Sequence, residues 1–325
     1  MRVEKEGWGC FDFGVSRLFV VIFLGGLCAH GQTVIETFGS GVDDEFTIEF
    51  VSIGNPGNTA DGNGWGSVAY AYRMGKYEVS RNQITKANNI GSLGIDMSNL
   101  SSIGANGPNH PAVGINWFEA AKFVNFLNTE HGYAPAYKFD SNGKFQVWAA
   151  NDSGYNPANP YRNRGSYFWL PSRDEWHKSA FGSPQGIWYD YPTGSDSRPS
   201  AVSEGTDPGT IVYNGASRPA EVQSAGGLSP WGTMAQGGNV YEWEETSADA
   251  SNSTPDALRA IRSGSWYMGE LAQGASSSYR NTSFGPQATV NDFGFRIASA
   301  PEPSSFSLLL VGEAVLMAGR RRKRD

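Results

Sequence analysis

The sequence predicts a loop-rich body in which a few helices sit among short strands, and three observations lead there. The 325 residues include 41 Gly and 17 Pro, too many chain breakers for a helical bundle. Ten Trp, eighteen Phe and fourteen Tyr supply enough apolar surface for a core, which argues against disorder. The only long apolar runs lie at the two ends, so the body does not read as a multi-pass membrane protein.

Each element has a local reason. Ser80 and Gln83 form a capping-box pair that opens a helix stopping near Gly91. Asn116 and Glu119 open a second, from Trp117 to about His131, closed by Gly132, with apolar residues 117, 120, 121, 124 and 127 on one face. Ser172 and Glu175 open a third, from Arg173 to Phe181, closed by Gly182. Strands are predicted over 46–53, 69–78, 260–266 and 293–298. Between 183 and 238 the chain is mostly Gly, Pro, Ser and Asn with isolated aromatics, and a loop that long is functional or pinned by something. No repeat or heptad pattern points to a solenoid or coiled coil.

Charge narrows the partners. Setting aside the three basic and three acidic residues of 1–31, and the five basic and two acidic residues of 304–325, leaves 17 basic against 27 acidic groups, a net of −10. Such a body repels phosphate backbones, so nucleic acid is not an expected partner.

The ends read as addresses. Arg17, the apolar run 18–27 and Ala29-His30-Gly31 have the layout of a secretory signal cut after Gly31. At the far end, Pro301-Glu302-Pro303 precedes an apolar stretch over 306–319 and the basic block 320–324. That stretch spans about 21 Å as a helix, short of a bilayer core, and Glu313 interrupts it. The basic block would stay on the cytoplasmic side and leave the body outside. The arrangement over 300–325 resembles the PEP-CTERM sorting signal of Gram-negative bacteria. That resemblance implies processing by signal peptidase and by an exosortase, with the body released or held at the outer surface or extracellular matrix after transient anchoring. A plain C-terminal anchor is the alternative.

Six segments in order carry a second resemblance: 74–79 (MGKYEV), 111–117 (PAVGINW), 169–176 (WLPSRDEW), 238–243 (GNVYEW), 262–266 (RSGSW) and 293–298 (FGFRIA). They resemble the formylglycine-generating-enzyme, or sulfatase-modifying-factor, domain over roughly 44–299. The resemblance implies an α+β, loop-rich fold related to C-type lectins, forming a single domain over 32–299. Physically, Ser172 caps a helix from which Trp176 turns inward. Alternation over 238–243 would bury Tyr241 and Trp243 on one side if that segment is extended. Arg296, between Phe295 and Ile297, reads as a buried ion-pair partner for Glu175 or Glu242.

The family's chemistry is a separate question. In its oxidase members two cysteines beyond the G-G-S-W strand bind copper. Here both cysteines, Cys10 and Cys28, lie in the first 31 residues, and 264–296 has none. Soft thiolates select Cu(I), and the single thioether of Met268 does not replace a pair. Copper is therefore not expected, nor is formylglycine-generating activity. A sulfoxide-synthase branch holds non-haem iron through a histidine cluster. The body keeps only His110, His131 and His177, without ligand spacing, and each reads as a surface or cap residue. Glu242, Glu244 and Glu245 could offer an acid–base pair, but nothing else supports a glycosidase.

The resemblance also implies calcium, held by the carbonyls of Gly238 and Val240 and the carboxylate of Glu242. The asparagine that the family places before this segment is Ala235 here. Asn214 and Glu221 fall near a second family calcium site. The preferred reading is an exported, non-catalytic binding module for a glycan or protein, acting through an aromatic face formed by Trp188, Tyr189, Tyr191, Trp231, Tyr267 and Tyr279. The alternatives are an oxidative non-haem metal enzyme of the same superfamily and an inert extracellular matrix component.

Overall fold

The computed structural model describes residues 33–269, 273–279 and 283–301. The export segment and most of the sorting segment read from the sequence lie outside them. Strands β1 Thr33–Phe38, β2 Phe46–Ile53 and β3 Tyr72–Gly75 come first, followed by helices α1 Arg81–Gly91 and α2 Trp117–Glu130. Short strands β4 Lys138–Phe139, β5 Phe145–Gln146 and β6 Phe168–Trp169 lead to α3 Arg173–Phe181. Then come β7 Ser200–Val202, β8 Thr210–Val212, β9 Tyr241–Ser247, β10 Arg259–Arg262, β11 Ser283–Phe284, β12 Phe293–Gly294 and β13 Ala298–Ser299. The result is a loop-rich, mixed helix-and-strand fold.

All three helices begin in the reciprocal capping boxes that the sequence indicates: Ser80 with Gln83, Asn116 with Glu119, and Ser172 with Glu175. Each box satisfies two backbone N–H groups that the helix itself leaves unpaired. The predicted stripe of α2 is wholly buried, and Phe123 and Phe126 join it. Their rings stack on Phe46 of β2, at 6.2 and 6.4 Å between centroids. Residues 46, 48 and 50 share a core with α2, whereas Val51 and Ile53 point the other way, into a cluster with Trp169 and Trp231. The second half of β2 is therefore covered on both faces.

Two sheets carry the architecture. The first runs β1-β2-β3-β13-β6, with every neighbour antiparallel. The second runs β11-β10-β9-β12, antiparallel except for the β9–β12 pair. β4 with β5 and β7 with β8 form small separate ladders.

Several predicted strands change. That over 69–78 shrinks to β3. That over 260–266 ends at Arg262, because Ser263 and Gly264 adopt φ of 90° and 81° and turn the chain out of the ladder. That over 293–298 divides: β12 pairs with β9, residues 295–297 cross between sheets, and β13 joins β3 and β6. Arg296 stands in the crossing. Its Nε and Nη2 donate to the two oxygens of Glu242, each at 2.6 Å, Nη1 donates to Gly75 O at 2.9 Å, and Nη2 donates to Met234 O at 2.8 Å. Of the two carboxylates the sequence offered, Glu242 is the partner. Arg296 thus ties the end of β3 in one sheet to β9 in the other.

The alternation over β9 differs from expectation. Trp243 is buried and Tyr241 half-buried, but Glu242, Glu244 and Glu245 are fully buried as well. The reason is cover on both sides: the inward-turned Trp176 donates its indole N–H to Glu242 at 2.7 Å, and guanidinium groups meet the other carboxylates. Removing the cation and leaving its buried carboxylate is the most damaging change this arrangement allows. Arg296→Met is expected to lose about 3–5 kcal/mol in urea unfolding, and Arg296→Met with Glu242→Leu to recover part of it. A loss under 1 kcal/mol in the single variant would contradict a buried pair.

Candidate functional site

Three glutamates in four residues suggest acid–base chemistry until their partners are placed. Both oxygens of Glu242 accept from Arg296, and one of them also from the Trp176 indole. Glu245 accepts from Arg162 Nε at 2.9 and 3.0 Å and from the Tyr137 hydroxyl at 2.9 Å. The same Arg162 reaches Glu175 at 3.3 Å, which also accepts from the Tyr70 hydroxyl at 2.7 Å. Burial pushes the Glu175 carboxyl up, yet Arg162, the Ser172 N–H and Tyr70 together hold it below the usual range. Glu244 faces Arg262 at 3.3 Å, its oxygens accept no hydrogen bond among the described residues, and burial raises its carboxyl. Glu78 is pushed well above the usual range, by burial and then by the charge of Glu242. These carboxylates make a scaffold, with no pair opposed across a cleft.

The residues implied for calcium do not form a cation cage. A metal at Glu242 would have to displace the Arg296 guanidinium from both oxygens. The Gly238 carbonyl accepts from the Ser263 hydroxyl at 2.8 Å. Asn214 lies in a turn with its N–H on Met268 O, and Glu221 meets Asn109 at 3.5 Å. This donor set does not fit the ion. Among the described residues no group of three His, Cys, Asp or Glu could hold a metal.

The histidines also separate. His131 is the C-cap of α2, as its place after the helix suggests. His110 and His177 are buried, contrary to the reading of them as surface or cap groups. His177 sits under the loop 55–68, which lies across α3. Asp61 organises this loop by accepting from the Asn63 and Trp65 N–H groups at 2.8 and 3.0 Å, and its other oxygen meets His177 Nε2 at 2.9 Å. A carboxylate only accepts here, so Nε2 carries the proton. The Gly66 N–H donates to Asp174 at 2.8 Å, and Lys178 Nζ donates to Asn55 O at 2.8 Å. The loop is thereby pinned to successive turns of α3.

A cleft opens on each side of the loop. One, of about 260 Å³, is lined by Trp65, Arg173, Arg262 and Tyr279. The Arg173 and Arg262 guanidinium carbons lie 5.2 and 4.1 Å from the Trp65 ring centre. The other, of about 230 Å³, is lined by Asn55, Asn58, Lys178, Gly182, Trp188 and Trp231. Trp188 is seated by glycines. At Gly66, whose φ is +85°, a Cβ would stand 2.3 Å from the indole, and at Gly182 it would stand 3.2 Å away. The indole N–H of Trp231, a side chain 5% exposed, donates to no acceptor among the described residues.

The six aromatic residues singled out in the sequence therefore do not share one face. Trp188 and Trp231 meet in the second cleft and Tyr279 lines the first. Tyr191 packs beside Ile211 and Tyr213, Tyr189 is half-buried beside α3 with its N–H on Phe181 O, and Tyr267 stands 79% exposed. Sequence reasoning missed Lys178, Trp65, Asn55 and Arg262. The one available signal was that Lys178 lies a turn before the Gly182 that ends α3.

The profile of the sulfatase-modifying factor enzyme 1-like domain matches residues 59–301. The fold is similar to that of a variable protein from Treponema denticola, described as "Treponema denticola variable protein 1". That likeness has a TM-score of 0.55 and 20% identity, and covers 82% of this chain and 99% of that one. It is also similar to a solved structure described as "Crystal Structure of CarF", with TM-score 0.56, 20% identity, and 78% and 99% covered. At such identities the likeness is one of fold. No curated protein sequence matches the chain.

The His177–Asp61 contact has a pH signature. Burial lowers the imidazole below its ordinary 6.5, against the upward pull of Asp61. Unfolding therefore takes up a proton as pH falls below about 6.5, and stability drops by up to about 1.4 kcal/mol per pH unit from this group. Urea unfolding between pH 8 and 5.5 is expected to show that loss in the wild type and a flatter profile in His177→Gln. Equal slopes would contradict a buried neutral imidazole.

Proposed function

Because the chain belongs to the sulfatase-modifying factor enzyme 1-like domain family, we propose that it is a non-catalytic member, exported and sorted to the outer surface, that binds a glycan. The observation that carries this reading is the convergence of two indoles, Trp188 and Trp231, on one cleft walled by Asn55, Asn58 and Lys178. Aromatic rings present a flat apolar body to the C–H faces of a sugar ring, while amides and an ammonium meet its hydroxyls. At about 230 Å³ the cleft is smaller than the pockets that enclose drug-sized molecules, and suits one or two rings of a longer chain.

The absence of cysteine from the matched residues supports a non-catalytic role, since no thiolate pair is there to take Cu(I). The engaged carboxylates of β9 support it too, because none is left as a solvent-facing acid–base pair. Export and sorting rest on the signal-like layout of 1–31 and the Pro-Glu-Pro, apolar and basic sequence of 300–325. A relation to C-type lectins would agree with a binding role.

A glycan array probed with the processed, exported protein tests the reading. Retention on particular oligosaccharides is expected, and Trp188→Ala should weaken it about tenfold, the equivalent of ~1.4 kcal/mol. Retention on peptides but on no glycan would replace the ligand class. Retention on neither would remove the binding reading.

A further inference from the structure

Lys178 stands out among the buried charges of α3 and β9. Glu175, Glu242, Glu244 and Glu245 each face a guanidinium, whereas Lys178, only 2% exposed, has no carboxylate partner among the described residues. Its neighbours are otherwise occupied. Asp61 is on His177 and the loop N–H groups, Asp174 accepts from Gly66, and the Tyr72 ring centre is 5.9 Å away. Among the described residues its ammonium donates one hydrogen bond, to the Asn55 carbonyl, so one of three donors is used. A buried cation without an anion is unfavourable unless something compensates it. Burial drives its pKa down to about 8, which leaves it mostly protonated at neutral pH. This lysine lines the cleft that holds Trp188 and Trp231.

We propose that the cleft is specific for an acidic glycan, whose carboxylate takes the place of the missing counter-ion on Lys178 while Trp188 and Trp231 hold the ring. This rests on the glycan-binding reading and narrows it to uronic-acid-type sugars. In a body with a net charge of −10, general attraction does not draw in an anion, so the preference comes from the buried ammonium of Lys178 at the cleft. A charge-assisted pair in that setting is stronger than a neutral hydrogen bond, and it restores a partner to a group that folding leaves without one.

The experiment compares two probes by calorimetry: a uronic-acid oligosaccharide, and the same oligosaccharide with its carboxyl groups reduced to hydroxymethyl groups. The wild type is expected to hold the acidic form at least about tenfold more tightly. Lys178→Met, close in volume, should lose that preference, with affinity for the acidic form falling at least about tenfold more than affinity for the reduced form, whose hydroxyls also lose the ammonium. Equal binding of the two probes by the wild type, or an unchanged preference in Lys178→Met, overturns this inference and leaves the glycan-binding reading intact. If neither probe binds and an acidic peptide does, both are overturned.

Discussion

Arg296 is buried where the chain passes from one sheet to the other, and the positions of both sheets follow from what it touches. Its Nε and Nη2 grip Glu242 of β9, Nη2 also reaches the Met234 carbonyl, and Nη1 reaches that of Gly75. A guanidinium suits this place because its donors are rigid and planar, so one group can satisfy a carboxylate and two backbone carbonyls at fixed angles. The pair is not a source of net stability to be counted against an apolar alternative, since burial of two charges offsets much of their attraction. Its effect is geometric. With Glu242 fixed, the Trp176 indole N–H has one acceptor to meet, and α3 takes its angle against β9. The loop 55–68, bonded along α3, then defines the two clefts.

The same logic explains why so many charges lie inside so loop-rich a body. Little regular ladder is available to hold 183–238 in place, and long loops are costly to order. The β7–β8 ladder, backbone bonds such as Gly205 N–H to Ser224 O, and Arg296 on the Met234 carbonyl hold that stretch, while other buried arginines fix the segments around it. Arg162 joins Glu245 and Glu175, and Arg259 lies over the rings of Tyr161 and Trp117 at 4.2 and 4.4 Å. Arg259, also without a carboxylate among the described residues, is covered by those rings and bonded to the carbonyls of Pro255 and Ala257, whereas the Lys178 ammonium borders a cleft.

Much of the local structure was legible in the sequence because its causes are local. The capping boxes at Ser80, Asn116 and Ser172 lie within three residues of the groups they satisfy, and the apolar stripe of α2 is a matter of spacing. The strand over 46–53 has its predicted bounds. Where the cause is distant the sequence was silent. The chain over 293–298 is as apolar as a continuous strand, but it serves two sheets, and only the placement of β9 and β3 shows where it divides. The burial of Glu242, Glu244 and Glu245 depends on arginines from other segments. The cleft was half-legible: Trp188 and Trp231 have the chemistry of a binding surface, yet they meet only because Gly66 and Gly182 make room for an indole. Lys178 gave no signal beyond its place a turn before Gly182, since an unpaired cation is recognised only after every carboxylate nearby has been assigned.

Hydrogen–deuterium exchange on the processed protein, with and without a uronic-acid oligosaccharide, tests the central claim most directly. The account predicts slowed exchange in two segments far apart in sequence, the loop 55–68 and the turn 182–189, because both border the cleft. Slowed exchange confined to 259–284 would place the ligand at the Arg262 cleft instead and contradict the assignment. No change anywhere, at saturating oligosaccharide, would contradict glycan binding itself.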